Sequence, residues 1–160
     1  MEPSHEIVER ALSDIRSKRI AAALGYWTLK KGERQFPARA EFIPREMKEF
    51  LQNLHLYDVL DDNTFRARLL GTAMVNAVGK EMTGSIIDAQ AVHPVARRMF
   101  VVLKRALAAR APLLMVAAEA VARYTDGRGM ETLAAPLSDD AAKITHLFCA
   151  TAFIARPLPA

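Results

Sequence analysis

The chain has 160 residues, 51% of them hydrophobic and 25% charged, with a formal net charge of +4. One domain with one core accounts for that length, and the composition excludes a disordered chain or a membrane protein. A single cysteine excludes an internal disulfide framework and a multi-cysteine metal site, and it suits a reducing cytosol.

Met1–Glu6 carries neither a positive start nor an apolar stretch, so no secretory signal is expected. Ser4 is placed to cap a helix, with Glu6 and Glu9 at the positive end of its dipole. Ile7/Val8, Ala11/Leu12 and Ile15 recur at helical spacing, slip in phase across Arg16–Arg19, and resume at Ile20, Ala23/Leu24 and Trp27. The pattern predicts one long helix, or two stacked pieces, stopping at Gly32 behind Lys30 and Lys31. This flanking helix, residues 1–34, is the candidate element for a homodimer; folding back on its own domain is the alternative.

Pro37 keeps Gln35–Arg39 extended, and Pro44 opens a short helix over Pro44–Gln52. Leu54–Leu60 and Thr64–Leu70 flank Asp61-Asp62-Asn63 and predict a β-hairpin. In its second strand Phe65, Ala67 and Leu69 alternate with Arg66 and Arg68, so one face is wet. Helical pieces are predicted at Thr72–Val78 and near Ile86–Ala89, separated by a Gly79–Gly84 turn. A longer helix follows at Pro94–Ala111, with an apolar stripe of Val95, Met99, Val102/Leu103 and Ala106/Leu107. Leu113–Tyr124, Met130–Leu137 and Ile144–Ile154 read as three further strands, the first two joined by a turn at Thr125–Gly129. The near-apolar run Ala111–Ala122 contains Glu119 and is shorter than the ~20 residues that span a bilayer. Residues 155–160, with Pro157 and Pro159, form a tail. Five strands split two and three by a helical crossover imply an α+β fold with an antiparallel sheet.

The candidate chemistry is sparse. No two of His5, His55, His93 and His146 have the i, i+4 spacing of a zinc site, and His146 and Cys149 point to opposite faces of a strand. His93-Pro94 reads as a helix entry, with haem ligation the alternative. Cys149 reads as a small buried hydrophobe; no flavin-reactive or haem-attachment cysteine motif exists. No phosphate-binding loop and no Gly-x-Ser-x-Gly turn is present. Asp58, Asp61 and Asp62 read as water-facing turn residues. Between Gln90 and Ala118 lie five basic residues and no acidic one; Arg97, Arg98, Lys104 and Arg105 are read on the helix side away from the apolar stripe. A solvated face is the reading, with an acidic partner or membrane headgroups behind it. Nucleic acid is disfavoured because no aromatic stacking platform accompanies the charge.

Several residue groups together resemble a PAS-like sensory domain, and in particular a bacterial family of small stand-alone PAS-like proteins. They are Tyr26-Trp27, Phe36-Pro37-Ala38-Arg39, the strand Leu54–Asp58, the run Phe65-Arg66-Ala67-Arg68-Leu69-Leu70-Gly71-Thr72-Ala73, and Gly79-Lys80-Glu81-Met82-Thr83-Gly84. The likeness spans about residues 25–154. It implies a PAS-like five-stranded antiparallel sheet over residues 35–154, curled around helices, with a cavity between them. PAS domains use that cavity for haem, flavin, small organic acids or nothing, and many signal as dimers through flanking helices. The sequence names no cofactor. Leu69, Met74, Val78, Met99, Leu103 and Val116 are expected near the cavity wall, with Tyr57 as a polar handle; Val116 competes with Met115 for the inward face.

The expected function is a cytoplasmic sensory or regulatory module, not an enzyme, that binds a small molecule or a signalling protein. The chain ends six residues after Ile154, so no fused effector is expected and output would pass through surfaces, the N-terminal helix or a separate protein. One alternative is a small cone-fold enzyme of ketosteroid-isomerase type, which needs an acid and a tyrosine facing one pocket. Against it, Tyr57 is read as pointing opposite to His55 and Asp58. The other alternative is a ligand-free interaction adaptor with a filled core.

Overall fold

A computed structural model describes residues 7–117 and 129–154. The predicted Ser4 cap, the Thr125–Arg128 part of the turn, the continuation of the third strand beyond Ala117 and the tail lie outside them. The elements are β1 (Ile7–Arg10), α1 (Lys18–Lys31), β2 (Leu54–Asp61), β3 (Thr64–Leu70), α2 (Thr72–Val78), β4 (Ile86–Ile87), α3 (Pro94–Ala109), β5 (Leu113–Ala117), β6 (Gly129–Leu137) and β7 (His146–Ile154).

The strands form one antiparallel sheet in the order β1-β5-β6-β7-β2-β3-β4. The five expected strands are its centre; two more lie at the edges, so among the described residues the sheet has seven. β1 pairs along β5 from Ile7↔Ala117 to Arg10↔Leu114, and β4 pairs with β3 through Phe65 and Arg66. Each short strand covers an edge whose backbone groups would otherwise lack partners. Ile7/Val8 therefore belong to a strand rather than to a helix, and Ile86–Ile87 are extended rather than helical.

The N-terminal helix is accordingly half the length the periodicity predicts. It begins at Lys18, where Ser17 caps it by accepting from the Ile20 amide at 3.3 Å. Glu131, fully buried on β6, accepts from the amides of Arg16 and Ser17 at 3.1 and 2.6 Å. The phase slip at Arg16–Arg19 marks this junction. Gly32, at φ 59°, ends the helix where the sequence places the stop.

Helices and loops cover both sheet faces. On one face α1 buries Ile20, Ala23 and Trp27 against Leu114, Leu133, Leu137 and Phe148. Trp27 Nε1 donates to the Pro136 carbonyl at 2.9 Å. The stripe expected to meet a second copy is thus spent on the chain's own sheet. Phe42 and Phe50, from the segment after α1, pack on Phe148; that segment holds 3₁₀ turns at Pro44–Glu46 and Leu51–Asn53 instead of one helix. On the opposite face α2 and α3 cover Tyr57, Phe65, Ala67, Met115, Ala134 and Cys149. Among the described residues no helix is long and apolar enough to cross a membrane.

The strand-to-helix junction Gly71-Thr72 has a steric origin. The Gly71 amide donates to Leu54 O at 2.7 Å, and a Cβ there would overlap the carbonyl oxygens of Leu51 and Gln52. The Gly79–Gly84 turn is zipped onto β3: the Gly84 amide donates to Ala67 O at 2.6 Å, and the Ala67 amide to Ser85 O at 2.9 Å. Inside it Glu81 accepts from the Thr83 amide and hydroxyl at 2.9 and 2.5 Å. The motif is a structural clasp.

Candidate functional site

The site lies between α2, α3 and the sheet, and its polar part is built on the sheet. His55 and Tyr57 stand two residues apart on β2 and so share a face. His55 Nδ1 and Tyr57 Oη are 2.8 Å apart; His55 Nε2 meets Thr151 Oγ1 at 2.8 Å, and Thr151 Oγ1 meets Thr132 Oγ1 at 2.8 Å. Three adjacent strands thereby place a continuous hydrogen-bonded strip under the helices. This corrects the reading of Tyr57 as opposed to His55. Asp58 does stand on the other face, away from Tyr57.

The strip is buried. Desolvation pushes the His55 imidazole down to about 3, so it is neutral at pH 7. Burial raises the Tyr57 hydroxyl well above its ordinary value, with Cys149 beside it adding to the shift. Burial also pushes the Cys149 thiol up, and the fully buried cysteine behaves as a hydrophobe.

Above the strip the packing is nearly complete. One cavity of about 20 Å³ is lined by Met74, Val78, Val95, Arg98, Met99, Met130 and Thr151. A second, of about 10 Å³, lies between Tyr57, Leu70, Met82, Ile87 and the same Met74, Val78, Val95 and Met99. Each is about the room one water needs.

Of the residues expected at the wall, Tyr57, Met74, Val78 and Met99 converge here. Leu103 is fully buried on the same side but lines neither void. Leu69 and Val116 face the α1 side instead. For Leu69 the reason is a bulge: Leu56 pairs with Leu69 and Tyr57 with Ala67, so Arg68 is an extra residue that inverts the alternation. Leu70 takes the inward place. For Val116 the register decides, since Met115 pairs with Thr132 and Leu113 with Ala134, both cavity-facing.

Arg98 is a residue the sequence reading misplaced. It is only 6% exposed and lines the larger void, where Nη1 lies 3.8 Å from the Met130 sulfur. The spacing Val95, Arg98, Met99, Val102 is that of one helix face and could have revealed it. Burial lowers its pKa. His55 was weighed but set on the wrong face, and Thr132 and Thr151 were missed, because a strip spread over three strands has no local signature.

Other candidates resolve structurally. His93 caps α3, its Nδ1 accepting from the Val95 amide at 3.1 Å. Asp58 does not face water: it is 7% exposed, 2.7 Å from Arg68 and 3.4 Å from His146. Burial lowers the His146 pKa against the opposing pull of Asp139 and Asp58. Among the described residues no group of three or more His, Cys, Asp or Glu could hold a metal ion.

Comparison with curated proteins and with solved structures gave no match. A protein-family model described as a PAS domain matches residues 15–151, which takes in α1, both cavity helices and the central five strands as far as Thr151 of β7. The chain belongs to the PAS domain family.

Proposed function

We propose that this PAS domain is a cytoplasmic sensory module that accepts a small ligand between α3 and the sheet and passes the change to a signalling protein. The observation that carries the reading is the Tyr57–His55–Thr151–Thr132 strip beneath a wall of methionines. A core that only needed filling would gain from apolar residues at these positions, since buried polar groups add little net stability. Met74, Met82 and Met99 are adaptable side chains whose rotamers can make room for a guest. The lone buried cysteine suits a reducing compartment.

The reading assigns the cavity no catalysis, because Asp58 and Tyr57 do not share a face. Voids of about 20 and 10 Å³ favour a second reading, a filled interaction module that works without a ligand.

Native mass spectrometry of freshly purified protein, with an absorbance scan of the same sample, separates the two. The sensor reading expects a small non-covalent mass that leaves on denaturation and declines in Thr151→Val. A wild-type apo mass together with no thermal shift across a small-molecule panel overturns it in favour of the filled module.

A further inference from the structure

A larger cleft among the described residues lies elsewhere, where the tip of the β2–β3 hairpin, the end of α3 and the loop before β7 meet. It measures about 300 Å³ and opens to solvent. That is the lower end of the range for small-molecule sites. Val59, Leu107 and Ile144 form its apolar part, while Asp61 and Asp62 line it from the hairpin, Arg110 from the cap that follows α3 and Lys143 from the loop. Among the described residues no ion pair joins these acids to these bases.

Several contacts hold the two sides in place. Asp61 accepts from the Asn63 amide at 2.8 Å, which keeps its pKa low and the carboxylate charged. Lys104 ties the hairpin tip to α3 through Asp62 O and Asn63 Oδ1, at 2.7 and 2.6 Å. Arg110 stacks over Phe36, 5.2 Å from the ring centroid, and donates to Ala142 O at 3.0 Å. Asp140 accepts from the amides of Ala142 and Lys143 at 2.9 and 2.8 Å, which fixes the loop. The two non-glycine residues with positive φ among those described, Arg110 (54°) and Ala141 (67°), both belong to these elements.

Asp61 and Asp62 bring negative charge to this cleft and Arg110 and Lys143 bring positive charge, so neither a simple anion nor a simple cation suits every wall. A molecule that carries both charges and an apolar body satisfies every wall. We propose that the cleft binds a small zwitterion, a free α-amino acid with an aliphatic side chain. Its carboxylate lies toward Arg110 and Lys143, its ammonium toward Asp61 and Asp62, and its side chain on Val59, Leu107 and Ile144. This site is separate from the buried cavity and does not depend on that reading.

The test is a titration of ¹⁵N-labelled protein with leucine, leucine amide and 4-methylpentanoate, followed by amide chemical shifts. Leucine is expected to saturate shifts confined to residues 59–62, 107–110 and 141–144. Each half-charged analogue should bind at least about tenfold more weakly, the loss of one charge-assisted contact. Asp62→Asn and Lys143→Gln, both at exposed positions, should each weaken leucine by about the same factor with thermal stability unchanged. Absence of saturable shifts with millimolar leucine overturns the proposal, as do shifts centred on Met74 and Met99. Equal binding of 4-methylpentanoate reduces the cleft to an anion site and overturns it too.

Discussion

His55 stands fully buried between two hydroxyls, and its charge state ties stability to pH. Its folded pKa of about 3 lies below the ordinary histidine value of 6.5, so the unfolded chain takes up the proton first. The neutral imidazole's contribution is therefore complete above about pH 6.5 and declines as the pH falls toward 3. The slope reaches about 1.4 kcal/mol per pH unit within that window. His146 shifts in the same direction, so part of the acid limb persists without His55. Urea denaturation at stepped pH should show His55→Gln less stable than wild type at pH 8, yet with a shallower decline between pH 6 and 4. Parallel limbs for the two proteins would refute the assignment. Gly71 offers a second test at this scale, because its φ of −66° suits any residue and only sterics forbid a side chain. Gly71→Ala should cost about 1–3 kcal/mol by overpacking against the Leu51 and Gln52 carbonyls, read as a lower urea midpoint. An unchanged midpoint would mean that the 3₁₀ turn yields freely.

At the scale of elements, α1 is an internal cover for the sheet. Trp27 buries its ring against β6 and β7 and uses its one donor on Pro136 O. Trp27→Ala should therefore destabilise the fold by about 3–5 kcal/mol, independent of protein concentration. A loss that grows on dilution would instead place Trp27 in a contact between copies. The same helix shows what was legible in sequence. Its stop at Gly32, the hairpin about Asp61–Asn63, and α2 at Thr72–Val78 follow from local chemistry, and all three are found where it puts them. β1 was not legible: four residues become a strand because β5 offers an open edge, and the pairing runs from Ile7↔Ala117 to Arg10↔Leu114, far apart in the chain. The faces of β3 failed for a related reason. Alternation reads Phe65, Ala67 and Leu69 as one row, but the bulge at Arg68 is visible only through its pairing with β2. One extra residue exchanged Leu69 for Leu70 at the cavity.

For the whole molecule, the sheet is closed on both faces, and the α2/α3 side is sealed by side chains rather than by backbone. The two voids are separated by Met74, Val78 and Met99, which line both. Removing one of these side chains should join them into a single apolar chamber roofed by α3. Met99→Ala is expected to lose about 2–5 kcal/mol, since the cavity term adds to lost transfer energy. The same variant should then gain thermal stability with benzene, because a guest that binds only the folded state stabilises it by mass action. Wild type should show no such gain, each void having room for about one water. A variant as destabilised as expected but indifferent to benzene would show that α3 collapses onto the sheet when its methionine is removed. The chamber's size would then be set by helix position, and a ligand would have to lift α3 rather than displace a methionine.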